Sequence, residues 1–232
     1  MSNNEEIEEQ YTEQEESPKG PSSSSMFVDK IKNWLNGQNK TLVYGVVGVI
    51  ALTAGIVAYQ YLYKMPKEEK GLTAIYKAQT LFDMDSFYTV AKMAPKLADE
   101  YSGTKAGDLA AYMAGTSFLY TGEYKKAVEY LEKVGFSDKV MSTQVVGLLG
   151  DAYVENKDLE KALSQYTKAA KGATTEFTAV WWYRKAARVH EKRDEWKEAL
   201  DIYNKLKKEY KDAEGNNDID KFIARAEAKT AE

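Results

Sequence analysis

One stretch limits everything else this chain can do. Between Lys40 and Lys64, residues 41–63 read TLVYGVVGVIALTAGIVAYQYLY, without a charged side chain. A helix of that length rises about 34 Å, and the hydrocarbon layer of a bilayer is about 30 Å thick. Only Thr41, Thr53 and Gln60 are clearly polar. Tyr44 stands near one end and Tyr59, Tyr61 and Tyr63 near the other, where amphipathic rings settle at the headgroup level. A core helix of a soluble protein keeps a polar face over such a length, and none is present. The run predicts a membrane-spanning helix. It does not read as a cleaved signal peptide, because it begins only after Lys40 and no A-x-A site follows. With no cysteine in the chain, lipoprotein attachment is excluded.

The segments around the run divide by composition. Residues 1–25 hold seven Glu against one Lys and almost no large aliphatic residue. Such a segment buries too little apolar area to offset its ordering entropy, so it is expected to be a disordered acidic tail. In 26–40, Phe27, Ile31, Trp34 and Leu35 fall at i, i+4, i+7 and i+8. They predict a juxtamembrane amphipathic helix, with Gly37 able to end it. Residues 64–70 (KMPKEEK) form a charged connector in which Pro66 is expected to stop the spanning helix. Lys30, Lys32 and Lys40 flank the span on one side and Lys64, Lys67, Lys70 and Lys77 on the other. So even a balance leaves orientation unset by the positive-inside rule.

From Gly71 the pattern changes to helices with short turns. Residues 71–232 carry 25 basic and 26 acidic side chains, so no basic excess drives nucleic-acid binding. Without cysteine there are no disulfides or thiolate metal sites. Three segments align on a small residue, an aromatic or similar residue, and an alanine. Gly115, Phe118, Tyr124, Ala127 and Leu131 stand in the first; Gly150, Tyr153, Leu159, Ala162 and Tyr166 in the second; Ala187, His190, Trp196, Ala199 and Tyr203 in the third. The alanines are 35 and then 37 residues apart. Ala78, Leu81, Phe87, Val90 and Ala94 form a weaker earlier copy.

This series resembles the tetratricopeptide repeat, with its period of about 34 and its small-residue, aromatic and alanine positions. Small residues let the two helices of a repeat approach, and the alanines sit at the crossing. The leading Trp of the pattern is replaced by Ala111, Val146 and Tyr183, and the closing Pro is missing. Pro95 falls inside the second helix of the earliest copy, which is expected to kink or break there. The fold class is therefore all-α: one transmembrane helix, then a tetratricopeptide-repeat-like solenoid over 71–217. A final amphipathic segment, 218–232, carries Ile219, Phe222, Ile223 and Ala226 and is expected to cap the stack.

No nucleophile–base pair, glycine-rich phosphate loop or metal-ligand spacing stands out. Catalytic, cofactor and metal residues are accordingly none, and the chain does not read as an enzyme. His190 occupies the position of Phe118 and Tyr153, so packing between helices is its expected role. In tetratricopeptide repeats the first helix of each pair lines the concave side. By that resemblance the partner-binding groove comprises Tyr112, Thr116, Tyr120, Gln144, Asp151, Trp181, Arg184 and Arg188. Trp181 and Trp182, being adjacent, cannot share a helix face, so one is expected in the core and one on the groove or at an interface.

The order of parts also carries a resemblance. An acidic tail precedes DKIKNWLNGQNK, then a glycine-rich span (YGVVGVIALTAG), then degenerate repeats that include LADEYSGTKAGDLAAYMAG. Over roughly residues 26–210 this is similar to the single-span bacterial inner-membrane family known as the ancillary SecYEG translocon subunit. The resemblance implies a cytoplasmic N-terminus, a periplasmic repeat domain, association with the SecYEG channel, and contact with secreted clients or periplasmic chaperones. Two other readings share the fold. One is a scaffold for an envelope machine, such as cell division or outer-membrane biogenesis. The other is a receptor for targeting sequences with its repeats in the cytosol. Self-association stays open in all three.

Overall fold

The computed structural model describes residues 23–37 and 40–231. The acidic tail lies outside them as far as residue 22, and the first helix opens at Ser23 rather than at Met26. The chain divides at Gln60/Tyr61 into two units, each described by itself. The first holds α1 (Ser23–Gly37) and α2 (Lys40–Tyr59). Gly37 is the last residue of α1, whose Ile31, Asp29, Lys30 and Lys32 are exposed. The side chains of Phe27, Trp34 and Leu35, the rest of the expected apolar face, lie outside the described set. In α2 every residue from Tyr44 to Tyr59 is exposed, although the helix carries almost nothing but apolar side chains. Among the described residues one helical stretch, Val43–Asp83, is long and apolar enough to cross a membrane.

The expected stop at Pro66 does not occur. A π-helical turn, Gln60–Lys64, is followed by α3 (Met65–Asp83), so the supposed connector is helical. Pro66 is the second residue of α3, directly behind the π turn, and Lys64 before it keeps helical dihedral angles, so the helix runs on through the proline. The carbonyl its ring would otherwise crowd, that of Leu62, belongs to the wider π turn.

The second unit continues with α4 (Phe87–Glu100), α5 (Lys105–Tyr120), α6 (Tyr124–Glu132), α7 (Lys139–Glu155), α8 (Leu159–Gly172), α9 (Glu176–Lys192), α10 (Trp196–Glu209) and α11 (Ile219–Thr230). No strand occurs among the described residues. Each second helix packs on its own first helix and on that of the next pair: α4 on α3 and α5, α6 on α5 and α7, α8 on α7 and α9, α10 on α9 and α11. Ala127, Ala162 and Ala199, with Val90 in the earliest copy, are fully buried at the crossings. A Cβ added at Gly115 would lie 2.6 Å from Cγ of Leu131, and one at Gly150 would lie 2.5 Å from a ring carbon of Tyr166. Close approach within a pair is thus built on these glycines.

Helix α4 runs unbroken through Pro95, contrary to the expected break. An interior proline costs about 3 kcal/mol, but Val90, Ala91, Ala94 and Ala98 bury one whole face of α4, which packs extensively against α5. That tertiary packing holds the helix in register.

All four pairs turn in the same way. The N–H groups of Ser86, Glu123, Asp158 and Glu195 donate to the carbonyls of Leu81, Phe118, Tyr153 and His190 at 2.8–2.9 Å. The residue before each donor (Asp85, Gly122, Lys157, Asp194) has a positive φ, and its own N–H bonds three residues back. These are Schellman caps. Only Gly122 suits the left-handed conformation without strain. Past α10, Asn216 donates to the carbonyls of Leu206 and Tyr210, both at 3.0 Å. Helix α11 then repeats the first-helix register. Its Ile219 is 37 residues beyond Trp182, and both are buried.

Candidate interaction face

The first helices α5, α7 and α9 carry the eight groove residues, and the structure divides them. On α9, Trp181 is 52% exposed while Trp182 is only 4% exposed, so the pair splits as its spacing requires. Trp182 stacks on Tyr166, with centroids 6.2 Å apart, and covers Gly147. Lys185 Nζ lies 5.5 Å from the Trp181 ring centroid and donates to both Asp151 oxygens, at 2.6 and 2.8 Å. Tyr166 donates to the same carboxylate. Burial, then the charge of Asp151, raises the Tyr166 phenol far above its ordinary value. Arg188 is exposed and lines, with Asp151, Tyr166, Lys185 and Lys192, a cleft of about 270 Å³. Gln144 is exposed on α7.

Two of the expected groove residues are not available to a partner. Thr116 is 5% exposed, because α5 is enclosed by α3, α4, α6 and α7. Arg184 is committed within the chain: it donates to the carbonyl of Gly215, pairs with Asp218 at 2.8 Å and lies 4.5 Å over the Phe222 ring. It fastens the segment leading into α11. His190 is largely covered, with Nδ1 2.7 Å from Oε2 of Glu195 across the turn.

The other end of the face is aromatic. Tyr120, 67% exposed, stacks on Phe87 with centroids 4.3 Å apart and planes 6° from parallel. Phe87 meets Phe82 edge-on at 5.6 Å, Phe82 meets Tyr112 at 6.0 Å, and Tyr112 meets Phe136 at 5.8 Å. Burial raises the Tyr112 phenol. This five-ring run joins α3, the start of α4, α5 and the loop after α6. Tyr112 and Tyr120 were expected on the groove. Phe82, Phe87 and Phe136 were not placed on the groove: Phe87 figures in the sequence only as a repeat position, Phe82 stands near the end of α3, and Phe136 lies in a loop where no helical period selects it. Among the described residues, no group of three or more His, Asp or Glu side chains is placed to hold a metal ion.

Residues 109–135 and 183–213 match the tetratricopeptide repeat family. They cover most of α5, all of α6, the second half of α9 and all of α10, so the chain contains tetratricopeptide repeats. The pair between them, α7–α8, shares their turn geometry and their buried alanine. No curated protein matches the chain.

Proposed function

We propose that this chain is a membrane-anchored protein-interaction adaptor that sits beside the SecYEG translocon and hands secreted clients to periplasmic chaperones. The observation that carries the reading is the contrast between the parts: α2 leaves its whole apolar surface uncovered, while the repeats bury their own core and leave Tyr120 and Trp181 open. Water disfavours so much exposed apolar helix, and a bilayer accepts it. A Cβ at Gly45, Gly48 or Gly55 would meet nothing within 4 Å, so this side of α2 accommodates close contact with another membrane helix. Repeats of this class serve as protein-interaction surfaces, and the reading assigns them the client side of the membrane.

A photocrosslinker at Gly48 of the membrane-embedded protein tests the channel contact. Capture of a channel subunit is expected, and a span that never captures one removes the translocon from the proposal. The near-even flanking lysines, four on the C-terminal side and three on the N-terminal side, leave orientation unset and admit a second reading, with repeats in the cytosol as a receptor for targeting sequences. Fusions after Thr230 separate the two. Alkaline phosphatase activity places the repeats across the membrane, and fluorescence of a green fluorescent protein places them in the cytosol. Co-purification in mild detergent with cell-division or outer-membrane assembly proteins, and not with the channel, would instead favour an envelope scaffold.

A further inference from the structure

We infer that the aromatic run at the α3–α5 end of the repeat unit is a receptor for polypeptide segments that carry arginine or lysine beside an apolar side chain. This rests on the adaptor reading and adds the chemistry of the client. Most aromatic faces in the repeats already have a cation of their own. Lys92 lies over Tyr88, Lys126 over Phe118, Lys133 over Tyr130, Lys161 over Tyr153, and Lys185 over Trp181. Among the described residues, none lies over Tyr120, Phe87, Phe82, Tyr112 or Phe136. The turn that carries Phe82 and Phe87 instead holds Asp83 and Asp85, both exposed and without an ion pair among the described residues. Phe87 donates its N–H to the Asp85 carbonyl at 2.8 Å, so acid and ring are bound into one turn. Met84 between them is 68% exposed.

Exposed Tyr120 and Met84, beside the half-buried Phe82 and Phe87 and with unpaired carboxylates at the edge, complement a ligand that brings both a cation and an apolar group. A guanidinium or ammonium over the outer face of Tyr120 would meet the negative face of the ring, and a second cation of the same segment would meet the carboxylates of the neighbouring turn. A neighbouring apolar side chain would cover Met84 and the rim of Phe87. An acidic segment is disfavoured at this end by Asp83 and Asp85.

The test uses the full-length protein in detergent micelles and two fluorescein-labelled peptides. One has Arg-Phe pairs spaced in a Gly-Ser background, and the other has Glu in place of each Arg. Fluorescence anisotropy is expected to give at least tenfold tighter binding for the Arg peptide, weakening as salt is raised. Tyr120→Ser and the double change Asp83→Asn with Asp85→Asn each lower that affinity at least fivefold, while Val140→Ser, at an exposed position early in α7, leaves it unchanged. All of these positions are exposed, and a thermal melt confirms that each variant folds. Equal affinity for the two peptides, or affinity insensitive to both Tyr120→Ser and the double change, overturns the inference. Loss of binding in Trp181→Ala alone overturns it too, but leaves the adaptor reading standing with its client at the α9 end. If neither peptide binds, the inference falls; crosslinks from the same face to other polypeptides would then show that the adaptor reading survives it.

Discussion

Replacing Gly147 by alanine probes how tightly one repeat is set into the next. A Cβ there would come within 2.5 Å of three carbons of the Trp182 six-membered ring, far inside ordinary contact. The ring has little room to retreat, since Trp182 is 4% exposed and is backed by the stacked ring of Tyr166. Alanine in place of glycine favours a helix by about 1 kcal/mol. Overpacking a closed core costs about 1–3 kcal/mol, occasionally more. When a rigid aromatic ring must move, the upper end applies, which leaves a net loss of about 2 kcal/mol. For a repeat unit of this size that lowers the melting temperature by about 4–8 °C. The assay is thermal melting of the full-length protein in detergent, followed by circular dichroism. Gly48→Ala serves as a control, because its Cβ meets nothing within 4 Å. Adding Trp182→Phe to Gly147→Ala should recover at least half the loss by opening room at the clash. A Gly147→Ala protein that melts at or above the parent temperature refutes the packing drawn between α7 and α9.

Further outcomes follow from other contacts. Lys157→Gly and Asp194→Gly should each stabilise the protein by about 0.5–1 kcal/mol in urea titration by removing left-handed strain, and Gly122→Ala should destabilise it by about 1 kcal/mol. Glu68 accepts from the backbone N–H groups of Lys105 and Ala106 at 2.7 and 3.1 Å; Glu68→Ala should cost about 1–2 kcal/mol and speed amide exchange at those two residues. At high pH, burial and then its hydrogen bond to Glu132 push the Tyr153 phenol up to about 12, and burial raises Tyr166 and Tyr203 as well. Unfolded tyrosines ionise near about 10, so the folded state keeps protons that the unfolded state gives up. This part of the stability is complete below about pH 10 and is lost as pH rises through the folded values. Tyrosinate absorbance should therefore show a late set of phenols that ionise with unfolding, and full ionisation before unfolding would contradict the burial of these rings.

The features readable from sequence were those with a period or a run. The uncharged stretch before Lys64 and the alanines at 127, 162 and 199 locate α2 and the helix crossings directly, since bilayer thickness and helix geometry leave few alternatives. The two prolines misled for opposite reasons. Pro66 follows a π-helical turn that carries the helix past it and Pro95 falls where tertiary packing outweighs the lost hydrogen bond, and neither circumstance is visible locally. The face was read by analogy with repeat positions, which put Trp181 and Tyr120 on the groove; both side chains are exposed. Analogy could not foresee that Thr116 is closed over by neighbouring helices, or that Arg184 is drawn into the segment before α11, because both depend on residues far along the chain. The left-handed turns at Lys157 and Asp194 were hidden because neither residue advertises that conformation.

The identical caps at 85, 122, 157 and 194 also restrict where this chain can change length. Every first-to-second-helix corner has one backbone path, and the left-handed residue always stands five positions before the crossing residue. The opposite corners, 101–104, 133–138, 173–175 and 210–218, differ in length. Insertions and deletions are therefore absorbed along one rim of the stack only, and that rim is where a spacer or an epitope can be spliced without disturbing the spacing of the helices.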